Sequence, residues 1–168
     1  MQARIELGAA TELWQRLVRG GAERTGMRLE EDVEAYLVFV LMRYLRDDTL
    51  LARAMALDYL AANQAAGQPR MDALRDVGDR CLLIAGLFPQ QAQRRQVDPD
   101  YFSSLGRGAY ETVASLARSA YAQLFAELTR GFGAMVQVLA ASAAAGHPEL
   151  RATDLLDRIV PASPARRH

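Results

Sequence analysis

Apolar residues recur at helical spacing along most of the chain. Leu13, Trp14, Leu17 and Val18 form one apolar stripe, which begins after Thr11 and ends at the pair 20–21, with a loop predicted at 22–26. Because residues three and four apart share one face of a helix, this spacing predicts amphipathic helices. Further helices are predicted at about 30–46, 50–65, 69–87, 99–118, 120–145 and 149–160, with one or two short helical turns at 90–96. The pattern therefore predicts an all-α fold, a bundle of about six or seven helices.

The segment 35–42 is apolar on every face of its predicted helix. The Val38–Val40 stretch alone would also suit a β-strand. Acidic residues at 30–34 and the basic Arg43 and Arg46 suit the two ends of a helix dipole, and the segment is too long for a typical strand. We therefore predict a central helix buried on all sides.

Turn and cap signals divide the remaining pattern. A turn is predicted at 67–69, and Asp98 followed by Pro99 predicts the start of a helix. The apolar stripe after residue 120 is rotated by one residue from the stripe before it, which predicts a break at 118–120. Gly146 to Pro148 predicts a stop. Without an internal linker, residues 1–160 are predicted to form a single helical domain, and 161–168 a flexible tail.

The charge composition excludes several classes of function. The chain of 168 residues has 20 basic and 20 acidic side chains, so its formal net charge is zero. A general nucleic-acid binder needs an excess of cations, and we expect no nucleic-acid partner. Every basic side chain other than the two His is Arg. Without Lys, neither a Walker-type phosphate site nor a Schiff-base mechanism is expected.

Few residues are suited to binding metals or to redox chemistry. The chain has two His and one Cys, Cys81, so neither a zinc site nor an internal disulfide is expected. No cofactor is expected. The longest apolar run, 35–42, is far shorter than a membrane span, and the first residues show no leader pattern. The sequence therefore predicts a cytoplasmic protein with no membrane span.

The predicted helix 69–87 contains the most distinctive residues. Asp79 lies nearly opposite the apolar stripe of this helix, and Gly78 and Gly86 are two turns apart. Glycine is unfavourable inside a helix by roughly 1 kcal/mol relative to alanine, so these two residues indicate close approach of another helix. Asp79 has two interpretations. It forms an ion pair with Arg75 or Arg80, or it anchors a partner or ligand.

The segment Val77–Pro89 reads V-G-D-x-x-L-x-x-x-G-L-F-P, and Tyr101, Gly106 and Tyr110 follow it. This pattern resembles a family of small all-helical bacterial proteins that has no assigned function; the likeness covers mainly residues 74–125. The resemblance implies an all-α domain and no activity. It also suggests that these residues form one structural unit, and we expect the Phe88–Pro89 corner to pack beside Gly106.

Candidate contact residues follow from these observations. Gly106 to Gly108 lacks the strand, the lysine and the full glycine pattern of a phosphate loop. Arg107 is instead expected to reach Asp79 or Glu111. No arrangement of residues requires a catalytic explanation, and no catalytic or metal-binding residue is assigned. The residues predicted to contact a ligand or partner are Asp79, Arg80, Phe88, Arg107 and Tyr110.

Three functions are compatible with this sequence. The first is a non-enzymatic interaction or regulatory domain that acts through helix faces and forms a homodimer, because the apolar surface exceeds what one small bundle is expected to bury. The second is a binder of a small lipophilic molecule in a pocket between helices. The third is an enzyme of unfamiliar type that uses Asp79 with Arg107 or Tyr110.

Overall fold

A computed structural model describes residues 2–46, 61–62, 64–89 and 98–145. Six helices lie in this part of the chain, and it contains no strand. They are α1 (Gln2–Thr25), α2 (Glu31–Arg46), α3 (Gly67–Leu87), α4 (Pro99–Leu116), α5 (Ser119–Arg130) and α6 (Phe132–Ala144). The all-α prediction is confirmed. The helix predicted at 50–65 lies mostly outside the described residues. The turns at 90–96, the stop at 146–148, the helix at 149–160 and the tail at 161–168 lie wholly outside them.

The third helix is the centre of the bundle. It packs along α4 on one side and against α6 on another, while α1 packs on both α6 and α2. Every residue from Val77 to Phe88 is buried, which agrees with the covered second half predicted for this helix. Residues of α3 therefore meet side chains from several elements, and a polar group there must find its partners inside the protein.

The second helix confirms one prediction and corrects another. Val38 and Val40 are helical, so the strand alternative is wrong. The helix is not buried on all sides, however: Ala35 is exposed, and 47% of the Phe39 surface is accessible. One of the apolar faces of α2 is therefore exposed in the described part of the structure.

The first helix is longer than the sequence predicted. It begins at Gln2 and continues through Gly20 and Gly21 to Thr25, so the predicted stop at 20–21 and the loop at 22–26 are wrong. A Cβ at Gly21 would overlap the Ser142 hydroxyl and the Val138 carbonyl of α6. Gly21 therefore permits close helix contact rather than ending the helix. The Ser142 hydroxyl lies 2.9 Å from the Leu17 carbonyl and 2.8 Å from the Val138 carbonyl, and its single proton can be donated to either of them.

Two predicted helix boundaries are confirmed and others shift. The Asp98 carboxylate accepts a 2.9 Å hydrogen bond from the Asp100 amide and so caps α4. The predicted break lies between α4 and α5, where Ser119 has a φ of 56°. The predicted turn at 67–69 is wrong, because α3 already begins at Gly67. A further break at Gly131, which separates α5 from α6, was not predicted.

Candidate functional site: a buried carboxyl between two tyrosines and an open apolar face

Three helices bring their polar side chains together inside the bundle. The Asp79 carboxyl of α3 accepts hydrogen bonds from the Tyr36 hydroxyl of α2 and from the Tyr110 hydroxyl of α4. Both bonds measure 2.7 Å and end on the same oxygen, Oδ1. Asp79 and Tyr110 have no exposed surface. This arrangement links α2, α3 and α4 through a single carboxyl group, and we call it the Asp79 cluster.

Local packing explains why Tyr110 reaches Asp79. A Cβ at Gly78 would overlap the Tyr110 ring, so the ring lies directly on the α3 backbone at Gly78. Phe125 and Phe132 contact the Tyr110 ring edge-on, with centroids 5.4 Å and 5.7 Å away. Such tilted pairs are the favoured geometry of aromatic rings. The tyrosine is therefore held between a glycine backbone and two phenylalanines.

Burial controls the protonation of the Asp79 cluster. Burial raises the pKa of Asp79 to about 6, although the hydrogen bonds from Tyr110 and Tyr36 favour the charged form. Asp76 raises this pKa further and Arg75 lowers it. No described residue donates to the second oxygen, Oδ2. Burial, together with the Asp79 charge, raises the pKa of each tyrosine, so both hydroxyls remain protonated donors.

A second carboxylate, one turn earlier on α3, is paired with cations. Asp76 Oδ1 lies 3.1 Å from Arg43 and 3.4 Å from Arg75, and the Tyr44 hydroxyl donates to it at 3.3 Å. Tyr36 and Tyr44 of α2 thus reach Asp79 and Asp76, respectively. Both tyrosines are buried in the core, and helical periodicity did not predict that their hydroxyls donate to acidic residues of α3. The two tyrosines are two turns apart on α2, whereas the two acidic residues are less than one turn apart on α3, so spacing alone did not indicate these contacts.

The structure brings only some of the predicted contact residues together. Asp79 and Tyr110 are bonded, and Phe88 is fully buried in the core. Arg80 is buried, and its Nε donates to the Asp76 carbonyl at 3.2 Å. The expected pairing of Asp79 with Arg75 or Arg80 is wrong. Asp79 Oδ1 instead accepts hydrogen bonds from the hydroxyls of Tyr36 and Tyr110.

Two further expectations fail for steric reasons. Arg107 is exposed beside Gly133 and cannot reach Asp79, which is enclosed. It forms no ion pair with the exposed Glu111 either. Gly106 does not make room for the Phe88–Pro89 corner. A Cβ there would meet Phe132 at 2.6 Å and Cys81 at 2.7 Å. The small residue therefore serves the contact of α4 with α3 and α6.

Two open grooves meet at Tyr121, outside the Asp79 cluster. The first, of about 430 Å³, lies between α2 and α5, and the second, of about 580 Å³, lies beside the junction of α4 and α5. Phe39 packs on the groove residue Tyr36 with a centroid distance of 5.9 Å and connects to this surface. We call the combined surface the Tyr121 face. It consists of Phe39 and the residues that line the two grooves, which are Asp32, Ala35, Tyr36, Gln68, Met71, Arg75, Leu116, Ala117, Arg118, Ala120, Tyr121 and Leu124.

The Tyr121 face is apolar at its centre and charged at its edges. Phe39 and Leu116 are 47% and 41% exposed, respectively. Asp32 borders the first groove, and Arg118 borders the second. Tyr36 is shared with the Asp79 cluster, since its ring lines the first groove while its hydroxyl bonds Asp79. The open face and the buried carboxyl are therefore joined by one side chain.

Searches for similar proteins give no family for this chain. Family models, curated proteins and solved structures produced no match. Across the described ranges, no group of three or more His, Cys, Asp and Glu side chains is placed to hold a metal ion. Each described helix is too short or too polar to cross a membrane. Functional inference therefore depends on the geometry of the chain itself.

Proposed function

We propose that the protein is a non-enzymatic interaction domain that acts through a helix face and forms a homodimer. The observation that carries this proposal is the Tyr121 face. Phe39 and Leu116 expose nearly half of their surface around two open grooves, in a bundle that buries most of its other large apolar side chains. Contiguous exposed apolar surface on a small domain is typical of a contact with another protein.

The composition of the face also suits a protein contact. Interface centres are enriched in aromatic residues, Met and Arg. Tyr121, Met71 and Arg75 line the second groove, and Phe39 adjoins the first. The Asp79 cluster stabilises this surface from beneath, because the Tyr36 ring lines the first groove while its hydroxyl donates to the buried Asp79 carboxyl. In this proposal Asp79 is a structural anchor.

The two alternative functions have weaker support. A lipophilic ligand would be expected in an enclosed pocket, whereas both grooves bordered by described residues are open to solvent. An enzyme that uses Asp79 needs a substrate to touch the carboxyl, and Asp79 has no exposed surface. Arg107 does not join it. Neither alternative has a supporting contact as direct as the exposed Tyr121 face.

Light scattering at micromolar concentration tests the proposal. We expect a mass of about twice 18.5 kDa for the natural sequence. Phe39→Glu is expected to reduce this mass to that of one chain, because it replaces an exposed aromatic ring beside the first groove with a charge. The matched control is Tyr101→Glu. Tyr101 is 53% exposed but lines neither groove.

The far-UV circular dichroism spectrum separates loss of association from loss of fold. Phe39 is half exposed, so Phe39→Glu should retain the helical circular dichroism spectrum of the natural protein. A natural protein that is a monomer at these concentrations would contradict the homodimer. An unchanged dimer in Phe39→Glu would show that the Tyr121 face is not the surface involved.

A further inference from the structure

We infer that the occupant of the Tyr121 face is a second copy of this chain, placed by a two-fold axis so that Asp32 of each copy faces Arg118 of the other. This inference rests on the proposed homodimer and specifies its interface. The two grooves are the relevant geometry: Asp32 borders one, Arg118 borders the other, and Tyr121 lines both. The acid and the base thus line different grooves, and the two grooves share Tyr121.

Neither of these two charges is neutralised within the described part of the chain. Glu34 of α2 is bound by Arg19 at 2.9 Å, while Asp32 has no such partner. Arg75, also in the second groove, contacts Asp72 and Asp76, but Arg118 forms no ion pair. Asp32 and Arg118 are both exposed. Each groove therefore offers one charge of a different sign to an incoming surface.

A two-fold dimer makes such a face complementary to itself. In an isologous contact, residue i of one copy touches residue j of the other, and j touches i. A two-fold axis that lies in the plane of the interface, perpendicular to the line from Asp32 to Arg118, places Asp32 of each copy against Arg118 of the other. Two pairs of opposite charges then form. The same axis also places the apolar centres around Tyr121 and Phe39 against each other. A contact that instead placed Asp32 against Asp32 and Arg118 against Arg118 would bring like charges together, and this repulsion opposes association.

Charge reversal tests this arrangement. Asp32→Arg alone and Arg118→Glu alone each create two repulsive contacts in a symmetric dimer. We expect each to weaken self-association by about 10- to 100-fold. An equimolar mixture of the two variants should form a heterodimer in which both charge pairs are attractive but reversed. Sedimentation equilibrium of the single variants and of their mixture measures this directly.

The control is a pair of charge reversals on another surface. Glu12→Arg and Arg16→Glu change exposed residues of α1 that line neither groove. Alone or mixed, they should associate as the natural protein does. If they weaken association equally, the effect is one of net charge and the inference is wrong.

The outcomes distinguish the interface from the homodimer itself. A natural protein that does not dimerise overturns both. A natural dimer that Asp32→Arg and Arg118→Glu leave intact overturns only the assignment of these residues. Variants that are each monomeric and remain so when mixed also overturn the two-fold pairing, since a heterodimer should restore both contacts. The expected result is that each variant by itself associates weakly and that the equimolar mixture of the two associates as the natural protein does.

Discussion

Replacing Gly78 by alanine is the most direct test of the Asp79 cluster. The added methyl group would overlap the Tyr110 ring, and that ring cannot move aside easily because Phe125 and Phe132 pack against it. Any shift of Tyr110 also disturbs its 2.7 Å bond to Asp79. Gly78→Ala should therefore destabilise the protein, although alanine is the better helix former.

The magnitude follows from three contributions. Inserting a methyl group into a packed core destabilises by about 1–3 kcal/mol. Weakening a hydrogen bond to a buried carboxylate adds about 1.5–3 kcal/mol. The higher helix propensity of alanine restores about 1 kcal/mol. We expect a net loss of about 1.5–5 kcal/mol in the free energy of unfolding.

Gly108→Ala is the matched control. Gly108 lies inside α4, and nothing approaches the position of its Cβ within 4 Å. The same substitution should therefore stabilise the protein there, by about 0.5–1 kcal/mol. Urea unfolding followed by circular dichroism at pH 7 measures both variants. All samples need one protein concentration, because dimerisation contributes to apparent stability.

Opposite signs for the two glycines are the expected result. A Gly78→Ala variant as stable as the natural protein, measured beside a stabilised Gly108→Ala, would refute the contact between Tyr110 and the α3 backbone. The position of Tyr110 on Asp79 would then lose its structural explanation.

Three further predictions concern the buried groups. The pKa of Asp79 is about 6 in the folded protein against its usual 3.8, so the folded state holds this proton more tightly. The associated stability of about 3 kcal/mol is present below pH 4 and is lost as the pH rises through 6. The unfolding free energy of the natural protein minus that of Asp79→Asn should therefore fall by about the same amount between pH 4 and a pH above 6. A difference that stays constant with pH would contradict this. Tyr36→Phe removes one of the two donors to Asp79 and should destabilise by about 1.5–3 kcal/mol at pH 8, where the carboxyl is ionised, and by less at pH 4.5; an equal loss in urea unfolding at both pH values would disprove the bond to a charged partner. Burial raises the pKa of the Cys81 thiol to about 12, so thiol labelling should be slow in the native protein and fast in 8 M urea; rapid native labelling would place Cys81 at the surface.

Helical periodicity predicted most of the described architecture from the sequence. It located α2 and the break before α5, and the Asp98–Pro99 signal located the start of α4. These features are local, because capping and apolar spacing act within a few residues. Gly21 shows where local reasoning fails. Its sequence context suggests a stop, but its role is set by Ser142, which is distant in the chain and close in space.

The site was less predictable than the fold for the same reason. Asp79, Gly78 and Tyr110 stand out in the sequence, but the sequence allows two interpretations of Asp79, an ion pair with Arg75 or Arg80 and the anchoring of a partner or ligand. In the fold, neighbouring helices present two tyrosine hydroxyls to it. A partner on another helix depends on which helices are adjacent and how they are rotated, and periodicity does not determine either. The exposure of Phe39 was missed for the same reason.

The contact between α1 and α6 has a consequence for how the chain folds during synthesis. The Ser142 hydroxyl and the Leu17 carbonyl are 125 positions apart, and Gly21 lies against the same turn of α6. While the ribosome is still adding the intervening residues, α2 is the one main packing partner of α1 among the described helices that has already been made. Of the described helices, α1 is synthesised before α6, so the surface of α1 that packs on α6 stays accessible to chaperones until α6 emerges.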